Sequence, residues 1–224
     1  MKIAFKDGIF DYRTLRLLIG ALALTLPILA PWIADKSLSS ISASYHTGAR
    51  DFFVGWMFVI GALMLAYNGH SPWEWVYSKF AGLAAVLVAL FPTACDTCTD
   101  SCSICEGDWR VTIHFVAAIA LFIILGYFCL WAFRKDTKGQ SGKTGRRDFI
   151  YRLCGYVIYL SLAAAILLKW LLPDLADAIE SLYYAETVAL GAFGVAWIVA
   201  GKTIPSPLVD KKDAVFFSGR PPPK

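Results

Sequence analysis

Charge is what this chain has little of. Only 17% of its 224 residues are Asp, Glu, Lys or Arg, where a soluble domain carries about a quarter. Too little polar surface is available to coat a water-facing globule. There are three histidines and three methionines, so any histidine chemistry must draw on a short list. No basic helix or aromatic-basic platform stands outside the apolar runs, which argues against nucleic acid as a partner. No small-residue cleavage site follows the first apolar run, so that run is expected to stay as an anchor although Arg13 and Arg16 precede it. No internal repeat and no second domain are visible.

Apolar sequence is present in abundance. Hydrophobic residues make up 58% of the chain and the mean hydropathy is +0.57. Six stretches stand out, at 15–34, 52–67, 80–94, 111–133, 150–172 and 182–200. A spanning helix needs roughly 17–25 apolar residues. The second and third stretches are short at their cores. Residues 42–51 contain no proline and are expected to continue helix two outward. Ser42, His46 and Arg50 would then repeat at i, i+4 and i+8 and share one face.

The cations are one-sided. With the N-terminus inside, seventeen Lys and Arg fall on inner segments and four (Lys36, Arg50, Arg110 and Lys169) on outer ones. Retention of basic residues on the cytoplasmic side places both termini in the cytoplasm. The expected organisation is an all-α, polytopic transmembrane bundle of six helices over 1–204. It carries an outer Cys-rich loop at 95–108, an inner basic loop at 134–149 and a cytoplasmic tail at 205–224. The inner loop contains Gly139-Gln-Ser-Gly142-Lys143-Thr144. Its gap is too short for a phosphate loop, and no strand precedes it. A basic linker against anionic headgroups is the simpler reading. His70 lies near Trp73, Trp75 and Tyr77, read as an interfacial aromatic belt.

Four cysteines crowd the outer loop: Cys95, Cys98, Cys102 and Cys105. Three readings compete. Disulfides come first, because the compartment is oxidising and two bridges would stiffen a loop with no core of its own. A zinc knuckle comes second, because its paired CxxC elements normally stand further apart. Thiol–disulfide exchange comes third. It needs a low-pKa thiolate, and Asp96, Asp100, Glu106 and Asp108 would raise thiol pKa values. Cys129 and Cys154 read as packing residues.

Polar groups from several helices converge at the outer end, where ionisable residues in a membrane usually mark a site. Arg50, Asp51, Tyr45 and Lys169 are the candidate ligand-binding residues, for a lipid headgroup or a small polar ligand. A sharper alternative is a metal-dependent lipid hydrolase. In it, zinc is the cofactor, His46, His114 and Asp51 are its ligands, Glu186 and Ser42 are catalytic, and Arg50 clamps a phosphate. The bland alternative is that these groups pin helix ends together.

Ser42-Ala-Ser-Tyr-His46, followed by Asp51, resembles part of the Ser-x-x-x-His and Asp pattern of the ceramidase and adiponectin-receptor superfamily of membrane hydrolases. That resemblance implies a zinc site. The superfamily's His-x-x-x-His pair has no counterpart in the last span, where Glu186 stands instead. A broader resemblance is to an uncharacterised bacterial family of six-span integral membrane proteins. It is carried by Tyr45-His-Thr-Gly-Ala-Arg50-Asp51, Phe91-Pro92-Thr93, Ile113-His114-Phe115 and Glu186-Thr-Val-Ala-Leu-Gly-Ala-Phe193-Gly194. It implies a multi-pass protein of the bacterial inner membrane and singles out Arg50, Asp51, His114 and Glu186. Expected partners are membrane lipid, and a second copy or another membrane protein.

Overall fold

The structure is a computed structural model and describes residues 12–69, 71–96, 102–135, 137–139 and 141–202. His70, Cys98 and the expected tail at 205–224 lie outside the described residues. The elements are α1 (Tyr12–Ala34), a 3-10 turn (Ser42–His46), α2 (Arg50–Ala66), α3 (Pro72–Leu90), α4 (Trp109–Tyr127) running into a π turn (Phe128–Ala132), α5 (Gly142–Leu171), the short α6 (Pro173–Ala178) and α7 (Ser181–Gly201). Among the described residues there is no β-strand. The all-α expectation holds.

Five of these helices are long and apolar enough to cross a membrane: α1, α3, α4 with its π turn, α5 and α7. The remaining apolar stretch, the second in the sequence, forms α2, whose 17 residues sit at the lower limit of about 17 for a span. The six long helices pack as a ring in chain order. Each of α1 to α5 touches the next, α7 follows α5, and α7 closes the ring on α1.

Tryptophan marks the two rims of this ring. Trp32, Trp109 and Trp170 are exposed at one end, and Trp73, Trp75 and Trp131 at the other. Trp collects where hydrocarbon meets headgroups, so two exposed Trp girdles with apolar helix between them give the ring the profile of a membrane-embedded protein. Large apolar side chains such as Ile28, Phe80, Val116, Ile123, Leu160 and Ile166 face outward between the girdles. In water they would be a liability; in lipid they are the ordinary surface.

The helices approach closely where both partners lack a side chain. A Cβ built on Gly20 of α1 would stand 2.8 Å from the Gly194 carbonyl of α7. A Cβ on Gly82 of α3 would stand 2.8 Å from the Gly61 carbonyl of α2. Lipid offers helices no hydrophobic drive to associate, so tight van der Waals contact at small residues does that work.

Three helix starts differ from the sequence expectation: those of α2 and α3, and that of α5, which begins at Gly142 rather than 150 and so takes in part of the loop expected at 134–149. Helix two does not continue outward through 42–51. Ser40 Oγ accepts from Ala43 N at 3.0 Å, and Thr47 Oγ1 donates to Ser44 O at 2.9 Å and accepts from Ala49 N at 3.0 Å. These hydroxyls offer the backbone local partners that compete with a helix. The segment folds as a 3-10 turn, and α2 begins at Arg50. Ser42, His46 and Arg50 therefore share no helical face. Helix three instead gains its length at its N-terminal end, starting at Pro72. Ser71 caps it, accepting from Glu74 N at 3.3 Å while its hydroxyl donates to the Glu74 carboxylate. Ser71 and Glu74 stand at the spacing of a capping box, here closed through the hydroxyl, with proline at the first helical position.

Candidate functional site

The connections at 35–49, 91–108 and 172–180 all emerge at the Trp32–Trp109–Trp170 end. Most of the candidate residues of the sequence are there, and the structure assigns them distinct tasks. Glu186, on the second turn of α7, is buried. Its Oε2 accepts from Ile41 N at 2.6 Å, and the carboxylate also takes the Ser42 N–H. One carboxylate thus holds the entry of the 3-10 turn. Ser42 is likewise buried. The two residues expected to be catalytic do meet, but through the Ser42 backbone. Nearby, Tyr183 N donates to Ser39 O at 3.1 Å. Tyr183 OH donates to Pro27 O at 2.9 Å, a carbonyl that Pro31 cannot serve because it has no N–H.

Both histidines of this end staple the 91–96 connection. His114 Nδ1 bonds Phe91 O at 2.8 Å, and His46 Nε2 bonds Thr93 O at 2.7 Å. A carbonyl only accepts, so in each ring the nitrogen named carries the proton. Ser39 Oγ donates to Asp96 Oδ1 at 2.6 Å, which fastens the same connection to the 35–49 loop. The other nitrogen of His46, Nδ1, lies 3.5 Å from Cys102 Sγ. Cys102 is bonded to Cys95, and Cys105 is also in a disulfide. The disulfide expectation therefore holds at Cys95, Cys102 and Cys105, and Cys98 is outside the described residues. Cys129 and Cys154 are free and buried.

The expected zinc set is not gathered. Among the described residues, the group whose ligand atoms come within 4.8 Å of one another is His46, Cys95 and Cys102; His114 and Asp51 are not part of it.

Arg50 opens α2 and is exposed. Its guanidinium lies 4.6 Å from the Tyr45 ring centroid, and Nη2 donates to Tyr45 OH at 3.1 Å. Asp51 is exposed beside it in the first turn of α2. Lys169 is bound elsewhere, in an exposed pair with Asp177 at 2.5 Å. At the start of α4, Asp108 caps the helix and pairs with Arg110 at 2.6 Å. The Arg110 side chain and backbone N–H hold the Asp108 carboxyl below the usual carboxylate range.

Sequence reasoning missed a polar cluster at the opposite end. Arg16 donates to Tyr67 OH from Nε at 3.1 Å and from Nη1 to Ala200 O at 3.0 Å. Tyr67 OH lies 3.3 Å from buried Glu74 Oε2, and Arg16 Nη2 is 3.9 Å from the same oxygen. Phe133 receives the guanidinium at 5.1 Å. The available signal was the Ser71-Pro-Trp-Glu74 start, which buries a carboxylate one turn into a helix and so calls for a cation.

An apolar groove runs between α3 and α4, lined by residues including Phe80, Leu83, Leu87, Ile113 and Val116. No curated protein and no solved structure matches the chain, and nothing connects it to the ceramidase and adiponectin-receptor superfamily. A family model does match, over residues 17–175, well over half of the sequence. By that match the chain belongs to the DUF998 family, described as proteins of unknown function.

Proposed function

We propose that this is a six-span protein of the bacterial inner membrane, with both termini cytoplasmic, that binds the headgroup of an anionic lipid at its outer face. The observation that carries the reading is Arg50. It stands at the rim beside the exposed Trp girdle, oriented by Tyr45 through its ring and its hydroxyl. Among the described residues it has no carboxylate within salt-bridge distance. A guanidinium held ready and unneutralised is the group best suited to grip a phosphate. It sits at the first turn of α2, where backbone N–H groups also favour an anion. The α3–α4 groove supports a lipid over a free ion, because its lining suits an acyl chain. Tyr45 positions and Arg50 binds, with Asp51 exposed beside them in the first turn of α2. Lys169, paired with Asp177, has no part in it.

The test is native mass spectrometry of the purified protein. Arg50→Ala should reduce anionic lipid retained through purification by about ten-fold or more, as loss of a charge-assisted contact of about 1.5–3 kcal/mol requires. Lipid content equal to wild type would reject the reading.

A further inference from the structure

We infer that His46 and the Cys95–Cys102 disulfide form a thiol–disulfide exchange site on the outer face, reduced by a dithiol. Three observations carry this. The imidazole Nδ1 stands 3.5 Å from Cys102 Sγ. Nε2 is committed to the Thr93 carbonyl at 2.7 Å, so the ring is fixed and the nitrogen facing sulfur is the one free to gain or lose a proton. Both bonded cysteines are part-exposed, unlike the buried Cys129 and Cys154.

The arrangement distinguishes the two sulfurs. A donor thiolate attacks Cys95 Sγ and forms a new S–S bond to it. The Cys95–Cys102 bond breaks, and its electron pair leaves on Cys102 sulfur. There the protonated imidazole supplies the Nδ1 proton or holds the thiolate as an ion pair. The donor's second thiol loses its proton to water and attacks its own sulfur in the mixed disulfide. Cys95 is expelled as a thiolate and takes a proton from water. Two electrons pass from the donor, which departs as a disulfide, to the protein, now a dithiol. A stabilised leaving thiolate speeds the first step.

Among the described residues, the charged and titratable groups around the ring are few. The Tyr45 ring lies edge-on at 5.5 Å, and His114 on α4 holds the Phe91 carbonyl of the same connection. Asp96 is bound by Ser39 and Asp108 by Arg110. Two of the four carboxylates that would raise a thiol pKa by repulsion therefore have partners of their own; Glu106 is exposed to solvent, and Asp100 lies outside the described residues. Among the described residues, His46 is the titratable side chain in contact with Cys102.

The experiment uses the full chain in detergent. The disulfide is reduced with dithiothreitol, and the rate of iodoacetamide alkylation at Cys102 is followed by peptide mapping from pH 5.5 to 9. In wild type, Cys102 should alkylate at pH 6.5 about ten-fold faster than in His46→Gln, since a thiol paired with a protonated His titrates well below about 8.5. The wild-type profile is itself decisive, even if the variant folds poorly. A midpoint below 7.5 supports the site; a midpoint near that of an ordinary thiol overturns it. A Cys95–Cys102 bond that resists millimolar dithiothreitol in the folded protein also overturns it.

Discussion

At the residue scale, the outer end shows how one cluster of polar side chains divides into structural and chemically available members. Glu186 and His114 are committed to backbone groups of the loops they hold. Removing the Glu186 carboxylate would leave the Ile41 N–H without its acceptor in a buried setting. Glu186→Ala should lower stability by about 1.5–3 kcal/mol, read by thermal unfolding in detergent, with Glu186→Gln milder because one acceptor survives. Equal stability of all three proteins would mean that the carboxylate is not the anchor. The sequence disclosed that Arg50, His46, His114 and Glu186 lie at one end, because span order alone sorts them. It could not disclose which of them meet. His46 pairs with a cysteine 56 positions away, and that depends on how two loops fold over one another.

At the element scale, the helices and most of their ends were legible; the starts of α2, α3 and α5 were not. Apolar length marks a span, but hydroxyl side chains and caps decide where it starts. The Ser40–Thr47 bonds stop α2 at Arg50, and the Ser71–Glu74 box carries α3 back to Pro72. The helix crossings were hidden for another reason: glycine pairs act across elements distant in sequence. Gly20→Val and Gly82→Val should each destabilise by about 1–3 kcal/mol, the usual range for forcing extra atoms into a packed interface. Gly55, whose added Cβ would meet nothing within 4 Å, is the control. Thermal unfolding midpoints that fall for Gly55→Val as much as for the paired glycines would contradict the crossing argument.

At the scale of the whole molecule, the ring, the two Trp girdles and the one-sided cations form a consistent picture. Five helices meet the demands of a span outright. Counting α2 as the sixth puts both ends of the described chain on one side and all the cysteine-loop chemistry on the other. The end marked by Trp73, Trp75 and Trp131 carries the Arg134–Asp148 pair at 2.9 Å, with Arg152 reaching the same carboxylate at 3.9 Å. That agrees with a cytoplasmic face rich in Lys and Arg. Both the headgroup reading and the exchange site require the Tyr45–His46 end to face outward. Reporter topology tests this most directly. Alkaline phosphatase, active only outside the cytoplasm, is fused after Gly107 in one protein and after Gly139 in another. Activity at Gly107 with none at Gly139 is the expected result; the reverse pattern, or activity at both positions, would contradict the account.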